Sequence, residues 1–284
     1  MLYRSTIQLL RFHFSLFLLP VYLFALSQAP QVSWGHALLV FVILHLLVYP
    51  ASNGYNSYMD RDETPIGGLR NPMKPTKQLF YITLMMDAVA LLLALVIGPF
   101  FAAGVLLYIA ASRAYSYRGI RLKKYPVAGF LTVFLFQGAL VFFITYQAVS
   151  SSGLQDVPLL PALISSLLIG ALYPLTQVYQ HEEDRRDGVT TISMMLGKRG
   201  TFIITMIMFL LATLMMYLLL SPADVGRFWL FILVMLPVVL FFLLWMYRVW
   251  RNPAQADYKK SLVMNVLSTF STTIYFLILL IQKR

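Results

Sequence analysis

The sequence predicts an all-α membrane protein, a bundle of nine transmembrane helices around a central apolar cavity. Three observations carry that prediction. Hydrophobic residues make up 60% of the 284-residue chain and charged residues only 12%, a composition foreign to soluble globular domains. No Asp, Glu, Lys or Arg occurs from Phe12 to Met59, enough apolar chain for two helices of roughly 20 residues each. The apolar runs are continuous rather than alternating, which excludes a transmembrane β-barrel.

Each span follows from its punctuation. The first is placed at 10–28 and ends at Ala29-Pro30; the second runs 36–58 after Gly35. Its length favours a retained first helix over a signal peptide, for which Ser27-Gln28-Ala29 is a poor cleavage site. The third and fourth, 78–98 and 100–117, are divided by Pro99, which cannot continue a helix. The fifth, 126–149, ends at a turn over Ser150–Gly153. Spans at 158–181 and 201–220 follow, the latter stopped by Ser221-Pro222, and then 227–248 and 261–281. With no Pro/Ser/Gly linker and no low-complexity tract, residues 1–284 are expected to form a single integral-membrane domain.

The net charge of +11 is unevenly spread. With nine spans, the N-terminus and the loops after spans 2, 4, 6 and 8 share one face, which carries 19 of the 22 Lys and Arg. Only Arg227, Lys283 and Arg284 fall on the other. The positive-inside rule makes the basic face, and with it the N-terminus, cytoplasmic. Another span parity would scatter this asymmetry. The basic loops thus read as a topology signal in a lipid-embedded chain, and no nucleic-acid partner is expected. With zero cysteines, disulfides, thiol nucleophiles and cysteine metal sites are excluded.

Seven of the 11 carboxylates crowd into two stretches, Asn53–Glu63 and Gln177–Asp187. Each closes a long apolar run, where ionisable groups are costly and mark function by default. If span 2 stays helical to its end, Asn56, Asp60 and Glu63 fall at i, i+4 and i+7 on one face. His45 lies near that stripe, three turns earlier, and reads as a hydrogen-bonded core histidine or a base. In span 6, Gln177, Gln180, Asp184 and Asp187 form a similar stripe. Both end on the basic face, so both can open on one cavity. Asp62 and Arg61 read equally as solvated loop residues, and Glu182 points away. Asp87, in the middle of span 3, either lines a pocket or pairs inside the bundle.

Oxygen-rich clusters without cysteine suit a hard cation. Mg²⁺ is commonly held by one or two carboxylates together with substrate phosphates. Lys74 and Lys77 follow the first cluster, Arg121, Lys123 and Lys124 follow span 4, and Arg185 and Arg186 sit in the second cluster. Acid and base side by side describe a site for a phosphate or diphosphate bridged through metal. Tyr55, Tyr58, Tyr108, Tyr115, Tyr173 and Tyr179 lie near the relevant helix ends, as interface belt, as packing, or as aromatic faces for a cation.

These residues resemble the UbiA superfamily of intramembrane prenyltransferases, nine-helix bundles with two aspartate-rich motifs on the cytoplasmic ends of the second and sixth helices. Asn56-Ser-Tyr-Met-Asp60 matches the first two positions of the family's Asn-x-x-x-Asp-x-x-x-Asp. Lys74-Pro75 looks like its Arg-Pro, and Tyr115-Ser116 through Arg121-Leu122-Lys123 to Pro126 is similar to its Tyr-Ser…Arg-Leu-Lys…Pro loop. The second motif ends as Asp184-Arg185-Arg186-Asp187-Gly188, followed by Leu196-Gly197. Two positions depart. Thr64 replaces the last aspartate of the first motif, and Gln180 stands four residues before Asp184 where an aspartate is usual. Asp62, Glu63, Glu183 or Asp187 could take over by a local shift in register, or fewer ligands could be used.

The resemblance implies a Mg²⁺-dependent enzyme acting on a prenyl diphosphate, with Asn56, Asp60 and Asp184 as its catalytic centre. Asn56, Asp60 and Glu63 on one side, and Gln180, Asp184 and Asp187 on the other, would hold the metal. Lys74, Arg121, Lys123 and Arg185 would bind the diphosphate. The allylic cation would pass to an aromatic or other lipophilic acceptor, or, as in relatives resembling terpene cyclases, to the chain's own double bonds. A transporter would place its carboxylates at midplane helix breaks, not beside basic loops. The Asp-Gly…Ala-Arg pattern of CDP-alcohol phosphotransferases is absent.

Overall fold

Proline, glycine and one buried arginine decide where the helices of this protein bend or stop. The computed structural model describes residues 1–150 and 156–283. Among them, eight helices are long and apolar enough to cross a membrane: α1 (Arg4–Gln28), α2 (Trp34–Asp60), α3 (Lys77–Ile97), α5 (Pro126–Val149), α6 (Leu159–Thr176), α8 (Ile192–Leu220), α9 (Val225–Arg251) and α10 (Tyr258–Gln282). Between them lie α4 (Pro99–Ser116) and the six-residue α7 (His181–Arg186). Helix α4 stands where the fourth span is expected and has 18 residues, but Ser112 and Arg113 in its last turns make it more polar than the others. No strand occurs among the described residues. The chain is a multi-pass membrane protein.

The helices depart from ideal geometry where the site needs them to. In α1 the first turns end at Arg11, in left-handed conformation (φ 47°), and a 3₁₀ stretch Phe12–Leu18 follows. Helix α2 widens into a π-helix over Val42–Val48 just before Pro50, which can offer no backbone donor. In α5 a second π stretch spans Phe134–Leu140. There the Ser166 hydroxyl of α6 enters the ladder, donating to the Phe134 carbonyl (2.7 Å) and accepting from the Ala139 N–H (2.9 Å). Only glycine permits that approach: a Cβ on Gly138 would sit 2.4 Å from Ser166 Cα. The result is a tight α5–α6 seam that turns Phe136 and Gln137 toward the interior.

Contacts at the loops sort the helix ends. The Arg118 guanidinium donates to Met59 O (2.9 Å) and pairs with Asp187 (3.4 Å), Arg199 donates to Trp250 O (2.8 Å), and Gln78 accepts from Thr6 (2.9 Å). These basic segments therefore share one end of the bundle. At the other end Ser33 donates to Val149 O (2.8 Å) and Lys283 to Ser27 O (3.2 Å). Packing of α10 against α1 closes the bundle around its core. Leucines such as Leu92, Leu95, Leu210 and Leu233 face outward with more than half their surface exposed, as lipid-facing side chains do.

Two sequence expectations change. The sixth span is not one helix through 181. It leaves α geometry at Leu172, passes through a 3₁₀ turn at Tyr173–Thr176 that contains Pro174, and re-forms as α7. Helix α8 starts at Ile192, nine residues before the expected 201, capped by the Thr191 hydroxyl (3.3 Å from Met194 N) and kinked at Gly197 (φ 68°). Beyond Ser150, the expected Ser150–Gly153 turn lies outside the described residues.

Candidate active site

Helix α2 carries its polar cluster to the mouth of a cavity of about 250 Å³. The Asn56 amide donates to Asp60 Oδ2 (2.8 Å) and to the Ser116 hydroxyl of α4 (3.1 Å), which fixes both side chains. The Asp60 side chain is only 3% exposed, with Lys123 Nζ at 2.5 Å and Arg121 Nη2 at 3.6 Å. The helix ends there, because Arg61 takes the left-handed conformation (φ 58°). That turn rotates Asp62 inward, onto the cavity wall, and sends Glu63 out.

Glu63 is accordingly corrected. The i, i+7 register required α2 to continue past Asp60, and it does not. The Glu63 side chain is 79% exposed, 3.9 Å from Lys74, itself 91% exposed. Neither reaches the cavity. The Glu63 backbone N–H does donate to Glu183 Oε1 (3.0 Å), which ties the two acidic segments together.

The second segment arrives on α7. Asp184 and Gln180 line the same cavity. Helix α7 is pinned by His181, whose Nε2 lies 2.8 Å from the Ser193 hydroxyl, and Ser193 in turn accepts from Thr201 (3.0 Å). Asp187 points elsewhere. It pairs with Arg121 and lies 3.4 Å from Arg118, so it belongs to a latch between loops and not to the cavity wall. Arg121 is buried in that latch, while Arg185 is exposed. Of the four basic residues expected on the diphosphate, Lys123 alone lines the cavity.

Crowded carboxylates dominate the electrostatics. Burial pushes the Asp184 carboxyl up to about 6, with Asp60, Glu183 and Asp187 adding to it and Lys123 opposing. Asp62 is raised to about 7, by burial and then by Asp60 and Glu183, against Lys123 and Arg11. Asp60 Oδ1 and Asp184 Oδ2 are buried without a hydrogen-bond donor. Such orphaned oxygens are costly, and a cation at the mouth would relieve them. Among the described residues no three His, Asp or Glu side chains form a ready-made cage. The donor set therefore fits a hard divalent cation whose coordination is completed by a ligand's own oxygens, as Mg²⁺ prefers.

Inward of the mouth the walls turn apolar and aromatic, with Phe17, Tyr49, Tyr108, Phe136 and Leu172. Tyr115 and Tyr173 meet hydroxyl to hydroxyl at 2.5 Å. Tyr55 and Tyr58 lie outside: Tyr55 sits under the Arg113 guanidinium (3.9 Å) and Tyr58 against Phe80 (5.2 Å). Arg113 is the partner of Asp87, so that intramembrane carboxylate pairs inside the bundle. His45 is fully buried, 3.1 Å from Ser15 O and stacked on Phe41, and does not itself line the cavity.

Sequence reasoning passed over Arg11, Gln137 and Asn265, which all line the cavity. Arg11 left one signal: it is the last charge before the charge-free stretch of Phe12 to Met59.

A family model described as the UbiA prenyltransferase family matches residues 17–269. No curated protein matches the sequence. Among solved structures, a UbiA homolog from Archaeoglobus fulgidus bound to DMAPP and Mg²⁺ superposes with a TM-score of 0.72 at 17% identity, covering 97% of this chain and 99% of that one. The same homolog bound to GPP and Mg²⁺ gives 0.70 at 19% identity, covering 97% and 99%. A UbiA homolog from Aeropyrum pernix K1 gives 0.69 at 18% identity, covering 94% and 98%.

Proposed function

Because the chain belongs to the UbiA prenyltransferase family, and is thereby a prenyl-diphosphate-using transferase, we propose that it ionises its substrate at this cavity and passes the allylic cation to an aromatic or other lipophilic acceptor. One observation carries the reading. Asp60 and Asp184, far apart in sequence, meet with Lys123 at the polar mouth of a cavity whose interior is apolar and aromatic. An amphiphile with a diphosphate head and a prenyl tail matches that division. DMAPP and GPP, each bound with Mg²⁺ in the A. fulgidus homolog, are molecules of this kind.

In this reading Asp60, Asp62 and Asp184 would hold the metal, Asp62 standing in for the carboxylate missing at Thr64. Mg²⁺ bound there would supply positive charge against that of the diphosphate. Asn56 orients Asp60 (2.8 Å), and Gln180 offers its amide at the mouth. Lys123 neutralises charge that grows on the leaving group as the C1–O bond breaks, with the electron pair departing on diphosphate. Tyr115 and Tyr173 stand beside the mouth, and the apolar walls keep water from the allylic cation. The acceptor's electron pair then forms the new bond to C1, and the acceptor releases a proton. Residues 1–284 act as one domain, and the mouth opens to the cytoplasmic side, where the basic loops gather.

Purified protein incubated with C5 to C20 prenyl diphosphates, with and without an aromatic acceptor, tests the proposal. Diphosphate release that requires Mg²⁺ and the acceptor is the expected result. A cyclic product formed without acceptor would instead assign intramolecular capture. Absence of diphosphate release from every substrate in both conditions would refute the reading.

A further inference from the structure

The main cavity does not end at its apolar wall. A second chamber of about 30 Å³ lies beyond it, between α1, α6, α8, α9 and α10. Four residues line both: Phe17 of α1, Ile169 and Leu172 of α6, and Thr269 of α10. Past that waist the helices contribute side chains one or two turns farther from the mouth, Phe24 on α1, Ser165 on α6, and Thr272 and Phe276 on α10. The four shared residues are half-buried, and apart from Phe209 everything else that lines the chamber is buried. The chamber is thus an extension of the main cavity, entered through the waist. Its far end is closed by a ring stack. Phe24 and Phe276 lie 4.4 Å apart and nearly parallel (16°), and Phe142 of α5 meets Phe24 edge-on at 5.5 Å. Both stacked rings are fully buried, and in a close-packed interior they have no room to step aside.

We propose that this chamber receives the terminal group of the prenyl chain, and that the Phe24–Phe276 stack sets the longest chain the enzyme accepts. The proposal rests on the reading of the main cavity as a prenyl-diphosphate site. Among the described residues no charged side chain lines the chamber. The Ser165 and Thr272 hydroxyls are spent on their own helices, at Pro161 O (3.0 Å) and Ser268 O (2.6 Å), so an occupant meets almost entirely carbon. One water needs about 10–15 Å³ on the same scale, so the chamber holds a chain end and not a further whole isoprene unit. Apolar burial is non-directional and cannot by itself count carbons. A closed floor can: a chain one unit too long must displace the stack or buckle behind the waist, and a shorter one forgoes the chamber's contacts.

Calorimetric titration of the purified full-length protein with Mg²⁺ and the S-thiolodiphosphates of C10, C15, C20 and C25 prenyl chains tests this without an acceptor. In the wild type Kd should be lowest at one length and rise at least about tenfold at the next. Phe276→Ala should move that rise to a chain one unit longer and leave shorter chains within about twofold of wild type. Phe276→Leu, which opens less space and disturbs the fold less, should relieve the excluded chain in part. Thr272→Leu fills the chamber from α10 and should weaken the preferred chain about tenfold while sparing the next shorter one. Phe270→Ala, on the outward side of the same helix and 64% exposed, should keep the wild-type profile. A wild-type Kd that never rises through C25 overturns the proposal. So do profiles of Phe276→Leu and Thr272→Leu that run parallel to wild type. If no chain length binds to the wild type, the reading of the main cavity falls as well, a result distinct from binding without discrimination of length.

Discussion

The two acidic segments deliver the same kind of side chain to one cavity in opposite electrostatic states. Asp60 sits at the end of a 27-residue helix, pre-paired with Lys123 at 2.5 Å and oriented by Asn56 at 2.8 Å. Asp184 rides on a six-residue helix that re-forms after a proline-bearing turn. It has no ion-pair partner within 4.0 Å among the described residues, whereas one orphaned oxygen is common to both carboxylates. The first carboxylate is charge-compensated in the folded protein, and the second has no cation within contact distance. A site built from two settled carboxylates would bind metal weakly, and one built from two strained ones would be hard to fold. Dividing the roles avoids both.

The largest expected effect treats the two alike, and a companion measurement separates them. Asp60→Ala and Asp184→Ala should each lower diphosphate release by at least about 10³-fold. In ligand-free protein the outcomes should diverge. Asp60→Ala strands Lys123, whose side chain is 11% exposed, and should cost about 3–5 kcal/mol of stability. Asp184→Ala removes a carboxylate that lacks full compensation and should leave stability level or higher. Equal losses of stability in the two variants would erase the distinction.

Metal addition gives the next effect in size. At about 100 times its Kd, Mg²⁺ should stabilise the wild-type protein by about 2.7 kcal/mol, read as a rise in Tm. The shift should vanish in Asp184→Asn, where the receiving carboxylate has lost its charge. An undiminished shift in that variant would move the cation away from α7.

How far this contrast could be read beforehand depends on the physical signal involved. Helix existence was legible, because continuous apolar runs and prolines speak locally; so was the shared basic end, from charge parity. The convergence of Asp60 and Asp184 on one face followed from the same topology. Local geometry at the ends was not legible. Nothing in the sequence says that Arg61 takes the left-handed conformation, and that one residue exchanges Asp62 for Glu63 on the cavity wall. The sequence puts Asp187 on the Asp184 stripe and Arg121 among the basic residues after span 4, each toward the ligand, yet they satisfy each other. Arg11 is not singled out by the sequence, because a buried charge and a loop charge look the same until the packing is known.

The smallest effect probes how the second segment is held. Burial lowers the His181 imidazole to about 4, and Lys198 and Arg185 push in the same direction. Folded-state His181 thus resists a proton that the unfolded chain accepts below about 6.5. Its contribution to stability is complete above that value and is lost as pH falls through the window down to about 4. The group is only partly buried, so after discounting for solvent screening the effect amounts to about 1 kcal/mol. Asp62 and Asp184, raised to about 7 and about 6, titrate with the opposite sign in the same range and mask it in wild type. The difference in Tm between wild type and His181→Gln, followed from pH 7.5 to 4.5, cancels their contribution. Wild type should lose ground relative to the variant as pH falls, as protonation weakens the hold of His181 on Ser193 and loosens α7. Parallel curves would mean that α7 keeps its place without this contact, and the settled and unsettled segments would then differ in charge alone.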